Sequence, residues 1–480
     1  MQHSACKSSR IQTLAIPPST DITELFAHYC QSKWSILLDS ANSTHKNARF
    51  DIFVAKPIAA ITAYQNSCEI EYFYDHLNDY SPIEKVEKIT GQPIAILRTL
   101  LQSSLPKEQP TAKDRDRLLP FTCGAMGYFG YDLGRCYETL PNVAKSVYQS
   151  PDMAVGIYSW SVIKDNHTGL FYLTDIPSLP APTTAEIESL LNRPLCEKTQ
   201  GKWQLKTPWQ SNMLKNEYVA KLQNILDYLR AGDCYQVNLA QRFHAQFSGS
   251  TWQAYLTLRK SNQAPFSAYI QLVNSTVLSI SPERFLKVKD SQVESQPIKG
   301  TRPRSTNPNT DLSNIEALKN STKDRAENLM IVDLLRNDLS KACEDHSIQV
   351  PELFAIESFE AVHHLVSTVT GRLNSSDDSL SLLQGAFPGG SITGAPKIRA
   401  MQIIDELEPH RRNIYCGSIG YINRNGDMDT SICIRTLLCE DSQIYCWAGG
   451  GIVLDSAPED EYQESLDKVS KILPILENDL

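Results

Sequence analysis

The chain has 480 residues, of which 41% are hydrophobic and 21% are charged, as in an ordinary soluble enzyme. Its formal net charge of −9 argues against a basic surface for nucleic acid or an anionic membrane. No apolar run is long enough to span a bilayer, and the cysteines are scattered without a signal peptide, so we expect reduced thiols in the cytoplasm. The expected partners are small molecules or another protein.

The first half of the chain has the pattern of an antiparallel sheet. Residues 1–20 are polar and predict a frayed end, and strands are predicted over residues 34–40, 50–55, 153–163 and 170–174. The glycine and aromatic residues of 121–133 indicate a close-packed strand and bend. Residues 177–212 hold prolines, serines and a short helical stretch at 183–191, and we interpret them as a connection. The length of the chain then predicts two domains, 1–176 and 213–480.

The second half opens with a helix and a strand. Apolar residues at helical spacing predict a helix over residues 218–229 that Gly232 ends, and residues 233–243 alternate as a strand. A later apolar strand over residues 430–438 contains Arg435. A buried arginine normally needs an anionic partner, which is either a structural carboxylate or the ligand.

Residues 281–301 have the pattern of a hairpin. An alternating run is followed by a turn signal at Asp290 and Ser291 and by a second extended run to Pro297. This pattern predicts that Glu283 and Lys299 stand on paired strands and face one pocket. A lysine in apolar surroundings can act as a nucleophile. The alternative is a surface lysine on an edge strand.

Two predicted helices carry pairs of carboxylates one turn apart. Asp324 and Glu327 lie near the start of a helix over residues 323–339, and Glu461 and Glu464 lie on the last helix. Two acidic faces across a cleft suit Mg²⁺, which prefers carboxylate oxygens completed by substrate and water. The alternative for each pair is a solvated helix surface that complements the helix dipole.

Two segments are rich in glycine. Residues 389–397 read Gly-Gly-Ser-Ile-Thr-Gly-Ala-Pro-Lys, which begins like a phosphate loop but has Ala-Pro where such a loop needs Lys and Ser or Thr. Residues 448–452 offer bare backbone amides to a carboxylate. They precede the last helix, which is predicted to begin at a capping box of Ser456 and Glu459.

These motifs resemble those of a known family. Residues 210–475 resemble the chorismate-utilising domain shared by anthranilate, isochorismate, salicylate and aminodeoxychorismate synthases, and residues 20–175 resemble the N-terminal domain of that family. The matching segments are 324–338, 361–370, 386–409, 416–421 and 447–471. The resemblance implies an α+β fold of two intimately packed domains, built from antiparallel sheets with outer helices, and a site between them.

Lys299 distinguishes the members of this family. Residues 297–301 read Pro-Ile-Lys-Gly-Thr, as in the members that make aminodeoxychorismate, whereas anthranilate synthases carry alanine at the central position. The isochorismate and salicylate enzymes place their lysine on an earlier strand. The resemblance therefore implies that chorismate and ammonia give 4-amino-4-deoxychorismate through a covalent bond to Lys299. An anthranilate synthase component and a non-catalytic binding homologue are the alternatives.

The resemblance also implies roles for the other residues of the site. Glu283 is the expected general acid or base, and His364 is expected to assist near the leaving group. Mg²⁺ is expected on Glu327 and Glu464, with Asp324 and Glu461 behind it or acting through water. The expected substrate contacts are Arg435, Tyr415, Gly300, Thr301, Gly450 and Gly451.

The source of ammonia and a second ligand complete the predictions. The chain has no Gly-x-Cys-x-Gly nucleophile elbow, so a separate glutamine amidotransferase subunit is the expected partner. The family's N-terminal half often has a tryptophan pocket. The matching positions here are Ser40, Asn47, Ala48, Arg49, Phe50, Pro265, Phe266 and Ser267. Asp39 stands where feedback-inhibited relatives carry glutamate, and a structural tryptophan and an empty, packed pocket both remain open.

Overall fold

A computed structural model describes residues 9–75, 81–106, 119–358 and 362–477. In the first half of the chain the strands are β1 (Arg10–Thr13), β2 (Ser35–Asp39), β3 (Phe50–Val54), β4 (Ala59–Tyr64), β5 (Ser67–Asp75), β6 (Ser81–Thr90), β7 (Gly124–Phe129), β8 (Met153–Tyr158), β9 (Trp160–Asp165), β10 (Leu170–Asp175), β11 (Gln204–Leu205) and β12 (Gln210–Ser211).

In the second half the strands are β13 (Gln236–Ser248), β14 (Phe266–Gln271), β15 (Ser275–Ser281), β16 (Arg284–Lys289), β17 (Gln292–Ser295), β18 (Ile298–Pro303), β19 (Gln349–Ser358), β20 (Val362–Arg372), β21 (Gly394–Ala395), β22 (Ser418–Asn423), β23 (Met428–Ile432), β24 (Thr436–Glu440) and β25 (Gln443–Ile452).

The helices are α1 (Ile22–Phe26), α2 (Pro93–Ser104), α3 (Thr184–Ser189), α4 (Glu197–Gln200), α5 (Lys215–Ala231), α6 (Thr251–Asn262), α7 (Pro308–Asn320), α8 (Thr322–Ser340), α9 (Ser379–Ala386), α10 (Lys397–Leu407), α11 (Pro458–Asp467) and α12 (Leu473–Glu477). Within the described ranges, no helix is both long enough and apolar enough to cross a membrane.

The strands form two antiparallel sheets. One has the order β1-β10-β9-β3-β2-β14-β15-β24-β25-β13-β11, with β12 and β21 also paired to β13. The other has the order β18-β20-β17-β16-β23-β22-β7-β8-β4-β5-β6, with β19 paired to β20. This architecture confirms the predicted α+β class of antiparallel sheets with helices.

Both sheets take strands from both predicted domains. β2 pairs with β14 in the first sheet, and β7 pairs with β22 in the second. The two halves of the chain therefore share their hydrogen-bonded ladders, which places their common apolar core between the sheets and the helices. The division into residues 1–176 and 213–480 describes the order of the chain, and independent folding of either part stays a prediction.

Several local predictions are confirmed. The hairpin of β16 and β17 pairs Lys287 with Glu294, and its turn residues Asp290 and Ser291 have φ angles of 49° and 64°. Such positive values suit the tight turn that the right-handed twist of paired strands favours. α5 ends at Gly232, which has a φ of 81°, as its sequence predicts.

Three other local predictions are wrong. The polar start of the chain contains β1, which pairs with β10 instead of fraying. The continuous run at 153–163 divides into β8 and β9, which belong to different sheets. The Ser456 hydroxyl does not cap the last helix, because it donates to Glu461 at 2.7 Å. Glu459 instead pairs with Lys215 at the surface.

The chain crosses between the two sheets at two adjacent places. Glu283 lies between β15 and β16, and Arg435 lies between β23 and β24 with a φ of 51°. Arg435 is therefore not inside a strand as predicted. The crossings bond to each other, since Ile280 N donates to the Arg435 carbonyl at 3.1 Å and Ile432 N to the Glu283 carbonyl at 3.0 Å. The two crossings bring polar side chains from both sheets to one place.

Candidate active site

Lys299 lies on β18 with its amine turned towards helix α8. Its Nζ donates to Glu327 Oε1 at 2.8 Å and to the Ser391 carbonyl at 3.4 Å, and 14% of its side chain is exposed. The pairing of β18 with β20 shifts register between Lys299 and Thr301. Gly300 has a φ of 77° there, and a Cβ would stand 2.9 Å from Asp324 Cγ, so this bend requires glycine. The bend fixes where the amine points.

Glu283 lies near Lys299, as the hairpin pattern predicts, but the two residues do not stand on strands that pair with each other. β18 pairs with β20, and Glu283 precedes β16. The Glu283 carboxylate instead accepts a hydrogen bond from the amide of Ile298, the neighbour of Lys299. Burial raises the pKa of Glu283 to about 7, although the charge of Lys299 and the hydrogen bonds from the Ile298 amide and the Ser391 hydroxyl oppose the shift. A carboxyl group with such a pKa exchanges protons near neutral pH.

Carboxylates from α8 and α11 meet at the glycines that end β25. A Cβ on Gly450 would stand 3.1 Å from Glu461 Oε2 and 3.5 Å from Glu464 Oε1. A Cβ on Gly451 would stand 3.3 Å from Glu327 Oε1. The absence of side chains at these two glycines lets three carboxylates from two helices approach one stretch of backbone.

The electrostatics of this acidic group are uneven. Burial raises the pKa of Glu461, with the charge of Glu464 adding to the shift and the Ser456 hydroxyl opposing it. Burial would also raise the pKa of Glu464, but the Lys468 ammonium outweighs it and the pKa is lowered. Lys468 Nζ lies 2.6 Å from Glu464 Oε1 and 3.0 Å from the Gly449 carbonyl.

The donor set has the chemistry that Mg²⁺ prefers, which is carboxylate oxygen. Within the part of the chain that the structure describes, no group of three or more His, Cys, Asp or Glu side chains is already arranged around a common metal position. Asp324 accepts a hydrogen bond from Arg302 Nη2 at 3.0 Å and lies against Gly300, whereas the other three carboxylates meet at Gly450 and Gly451. The residues that fit a metal are therefore Glu327, Glu461 and Glu464.

Arg435 is close enough to both Glu283 and His364 for their charges to interact. Burial lowers the pKa of Arg435, and the field of Glu283 opposes that shift. Among the described residues, the Arg435 guanidinium has no carboxylate in ion-pair contact. Burial and the charge of Arg435 lower the pKa of His364 to about 4, so its ring is neutral at physiological pH. His364 Nδ1 is 2.9 Å from the Thr301 hydroxyl.

Tyr415 is buried between Trp447 and Arg412. It is 3% exposed, its ring stacks on Trp447 with a centroid distance of 6.1 Å, and the Arg412 guanidinium lies 5.5 Å from its centroid. Arg412 is itself buried and bonds to Glu408. These neighbours fix the orientation of the Tyr415 ring.

Sequence reasoning missed three polar residues of this pocket. Gln236, at the start of β13, is 1% exposed and donates to Glu327 Oε1 at 3.2 Å, while its side-chain Oε1 has no hydrogen-bond partner among the described residues. Its place on the polar side of an alternating strand was a signal. Lys468 lies four residues after Glu464, a spacing that pairs side chains on a helix. Ser391 lies in the glycine-rich segment and gave no separate signal.

A cavity of about 770 Å³ lies between the two sheets and is lined by residues from both halves of the chain. It is bordered by β2, β3 and β14 on one side and by β16, β22 and β23 on the other. Six of the eight predicted tryptophan-pocket residues line it: Asn47, Arg49, Phe50, Pro265, Phe266 and Ser267. The structure therefore has a cavity here and not a packed interior.

The other predicted residues of this pocket have different surroundings. Ser40 donates its hydroxyl to Asp51 Oδ1 at 2.5 Å, and Ala48 is buried away from the cavity lining. Asp39 borders the cavity, and Tyr255 donates to its carboxylate at 2.8 Å while Arg259 makes a bidentate ion pair with it. Asp39 is thus neutralised by protein groups.

Comparison with known proteins places the chain among relatives of similar length. A family model described as chorismate binding enzyme matches residues 35–474. The aminodeoxychorismate synthase component 1 of Escherichia coli (strain K12) is 48% identical over 452 residues, which cover 94% of this chain and 95% of that protein. The anthranilate synthase component 1 of Aquifex aeolicus (strain VF5) is 32% identical over 461 residues, which cover 93% and 90%.

A solved structure agrees with these matches. The crystal structure of anthranilate synthase component I from Streptococcus pneumoniae TIGR4 superposes with a TM-score of 0.75 at 28% sequence identity, covering 89% of this chain and 92% of that one. The residues around Lys299, Glu283, Gly450 and Gly451 lie within the range that the family model matches. The chain belongs to the family of chorismate binding enzymes.

Proposed function

We propose that the chain is an aminodeoxychorismate synthase that converts chorismate and ammonia to 4-amino-4-deoxychorismate. The convergence of the Lys299 amine, the Glu283 carboxyl and the acidic group at Gly450 and Gly451 in one pocket carries this proposal. The relative from Escherichia coli that is 48% identical bears the name of this activity, which supports the same assignment.

The first chemical step belongs to Lys299. The Lys299 ammonium first releases a proton to water; the neutral amine then forms a bond to C2 of the ring, the two ring double bonds shift, and the C4–O bond breaks. The leaving hydroxyl takes a proton from Glu283 and departs as water. A carboxyl group whose pKa is about 7 is protonated in a useful fraction of molecules at neutral pH, which suits a general acid.

The second step reverses the shift of the double bonds. Ammonia forms a bond to C4, the bond between C2 and Lys299 Nζ breaks, and the lysine leaves as an amine. The proton that ammonia loses returns to the Glu283 carboxylate, which restores the starting state. Two such displacements place nitrogen on the carbon that carried the hydroxyl.

Charged groups on two sides of the pocket suit the two carboxylates of chorismate. Arg435 has no protein carboxylate in contact among the described residues, so the enolpyruvyl carboxylate is its expected partner. Tyr415 and the backbone amides near Gly450 and Gly451 complete that contact. His364, neutral and next to Thr301, is placed to accept or donate a hydrogen bond near the leaving hydroxyl.

Mg²⁺ is the metal that the acidic group fits, and it would be held by Glu327 and Glu464 with Glu461 nearby. When bound, it would neutralise the ring carboxylate and polarise the ring. We expect Glu464→Gln to weaken Mg²⁺ binding at least about tenfold, because a neutral amide is a poorer ligand for a hard cation. Titration calorimetry of the protein with Mg²⁺ measures this.

The matched control for this experiment is Glu459→Gln on the same helix. Glu459 is 65% exposed and pairs with Lys215. Equal Mg²⁺ affinities for both variants and the wild type would remove Glu464 from the metal site.

Ammonia is proposed to come from a glutamine amidotransferase subunit. The name of the Escherichia coli relative ends in component 1, which implies a second component. A cytoplasmic location is proposed with it, since the eleven cysteines within the described ranges are free thiols.

L-Tryptophan is the proposed ligand of the 770 Å³ cavity, which is large enough for an indole side chain and borders Phe50 and Phe266. We expect L-tryptophan to raise the melting temperature of the wild type and to leave that of Ala268→Leu unchanged, because the added carbons occupy the cavity. Differential scanning calorimetry measures both. No shift of the wild type at millimolar tryptophan would contradict the proposal.

Product analysis tests the proposed activity. Wild-type protein is incubated with chorismate, ammonium salt and Mg²⁺, and the products are separated by liquid chromatography. A non-aromatic aminodeoxychorismate is the expected product. Fluorescent anthranilate would assign the chain to the other activity of its family, and unchanged chorismate would indicate a binding homologue.

A further inference from the structure

The glycine-rich segment at residues 389–397 lies against both reacting groups of the pocket. Its first part forms a 3₁₀ turn over Gly390–Ile392, with Ser391 at the centre. The segment does not bind phosphate through Lys397, because that amine donates to Asp338 Oδ2 at 2.6 Å and to the Ala386 carbonyl at 2.7 Å inside the protein. Another role therefore accounts for its position.

Close packing holds this turn in place. A Cβ on Gly390 would stand 2.3 Å from Leu334 Cδ2, and one on Gly394 would stand 2.1 Å from the Gln236 carbonyl. The Thr393 hydroxyl donates to the Gly389 carbonyl at 2.9 Å. Buried Arg412 donates to the Ile392 carbonyl at 3.0 Å. The turn is thus pressed against α8 and β13 and fixed on both sides of Ser391.

Ser391 contacts the acid and the nucleophile with different atoms. Its hydroxyl donates to Glu283 Oε1 at 3.5 Å, and its backbone carbonyl accepts from Lys299 Nζ at 3.4 Å. Both contacts are long, as hydrogen bonds in a catalytic site often are before the substrate binds. Ser391 therefore links the two groups directly, with its hydroxyl bonded to Glu283 and its backbone carbonyl bonded to Lys299.

We propose that Ser391 is a positioning residue of the reaction, which holds the Glu283 carboxyl through its hydroxyl and the Lys299 amine through its carbonyl. This inference rests on the proposed function. In the first displacement the amine must reach C2 while the carboxyl reaches the hydroxyl on C4. A rigid turn that contacts both groups keeps them at the separation that one substrate spans.

Nearby charges act on Glu283 in addition to the hydrogen bond from the Ser391 hydroxyl. Lys299, Arg435 and Lys468 all present positive charge to it from different elements, and Cys416 is a further titratable neighbour. Their charges act over distance and do not fix the direction of the carboxyl group. The hydrogen bond from the Ser391 hydroxyl favours the ionised form of Glu283 and also restricts the rotation of its carboxyl group.

The test compares Ser391→Ala with Ser391→Thr, which keeps the hydroxyl. Ser150→Ala is the matched control, since the Ser150 hydroxyl also donates to a glutamate, Glu440, at 2.6 Å in a buried place away from the pocket. For each variant, kcat and KM for chorismate are measured with ammonium as nitrogen source across a pH series, at constant free ammonia. Melting temperatures show whether each variant is folded.

We expect Ser391→Ala to lower kcat about tenfold to a hundredfold with KM for chorismate within about threefold of the wild type. Loss of the Ser391 hydroxyl should also raise the pKa of Glu283, which moves the corresponding inflection of the kcat profile to higher pH. Ser391→Thr should recover most of kcat, and Ser150→Ala should lower the melting temperature and leave kcat unchanged.

Three results would overturn the inference. The first is a kcat of Ser391→Ala equal to that of the wild type. The second and third are a loss of kcat in Ser391→Thr or in Ser150→Ala as large as the loss in Ser391→Ala. The product of the wild type is scored separately. If it is not aminodeoxychorismate, the proposed function fails, while the rate of chorismate consumption in the same variants still decides the role of Ser391.

Discussion

Replacing Lys299 with alanine is expected to lower aminodeoxychorismate formation by about 10³-fold or more, because the first displacement needs the Lys299 amine to form a bond to C2. Lys468 is held by Glu464 and the Gly449 carbonyl, so it is not free to take over this role. Liquid chromatography of the products measures the rate. Mass spectrometry of acid-quenched wild type should in addition show a protein adduct at Lys299 that the alanine variant lacks.

The control is Lys319→Ala, which removes an exposed lysine from α7 near the same strand. This variant should keep the rate of the wild type. Equal rates and equal products for wild type and Lys299→Ala would show that the covalent mechanism is wrong and that Lys299 is a neighbour of the reaction. A change of product to anthranilate in Lys299→Ala would still support the lysine as the nucleophile.

Replacing Glu283 with glutamine is expected to lower kcat by about 10²- to 10⁴-fold, the usual contribution of a general acid or base. The amide cannot give a proton to the leaving hydroxyl. Since the raised pKa of Glu283 is about 7, the wild type should lose kcat/KM as the pH rises through that value, where the acid ionises. Rates at constant free ammonia between pH 5.5 and 9, roughly the range around this pKa, measure both effects.

Glu316→Gln on the surface of α7 serves as the control and should retain the pH profile of the wild type. The descending limb near pH 7 should be absent from Glu283→Gln. If the wild-type rate instead falls as the pH drops below about 7, Glu283 acts as a base, and the first displacement needs another proton donor. His364, whose pKa is lowered to about 4, is then not that donor at neutral pH.

Local patterns in the sequence determined much of the fold and part of the site. The alternation in residues 284–295 and the turn at Asp290 and Ser291 specified the hairpin, since side-chain period and turn geometry are local properties. The spacing of Glu461 and Glu464 specified one face of α11 for the same reason. The lysine motif at 297–301 marked the residue that we propose as the nucleophile.

The approach of Glu283 to Lys299 was decided by tertiary structure. Their strands are not partners, and they meet because the chain crosses from β15 to β16 where the Ile298 amide, at the start of β18, reaches the Glu283 carboxylate. The positions of Arg435, Gln236 and Ser391 depend in the same way on how two sheets and a glycine-rich turn pack together. Register between distant strands is fixed by burial over the whole sheet, and a single sequence shows only which side chains could be buried.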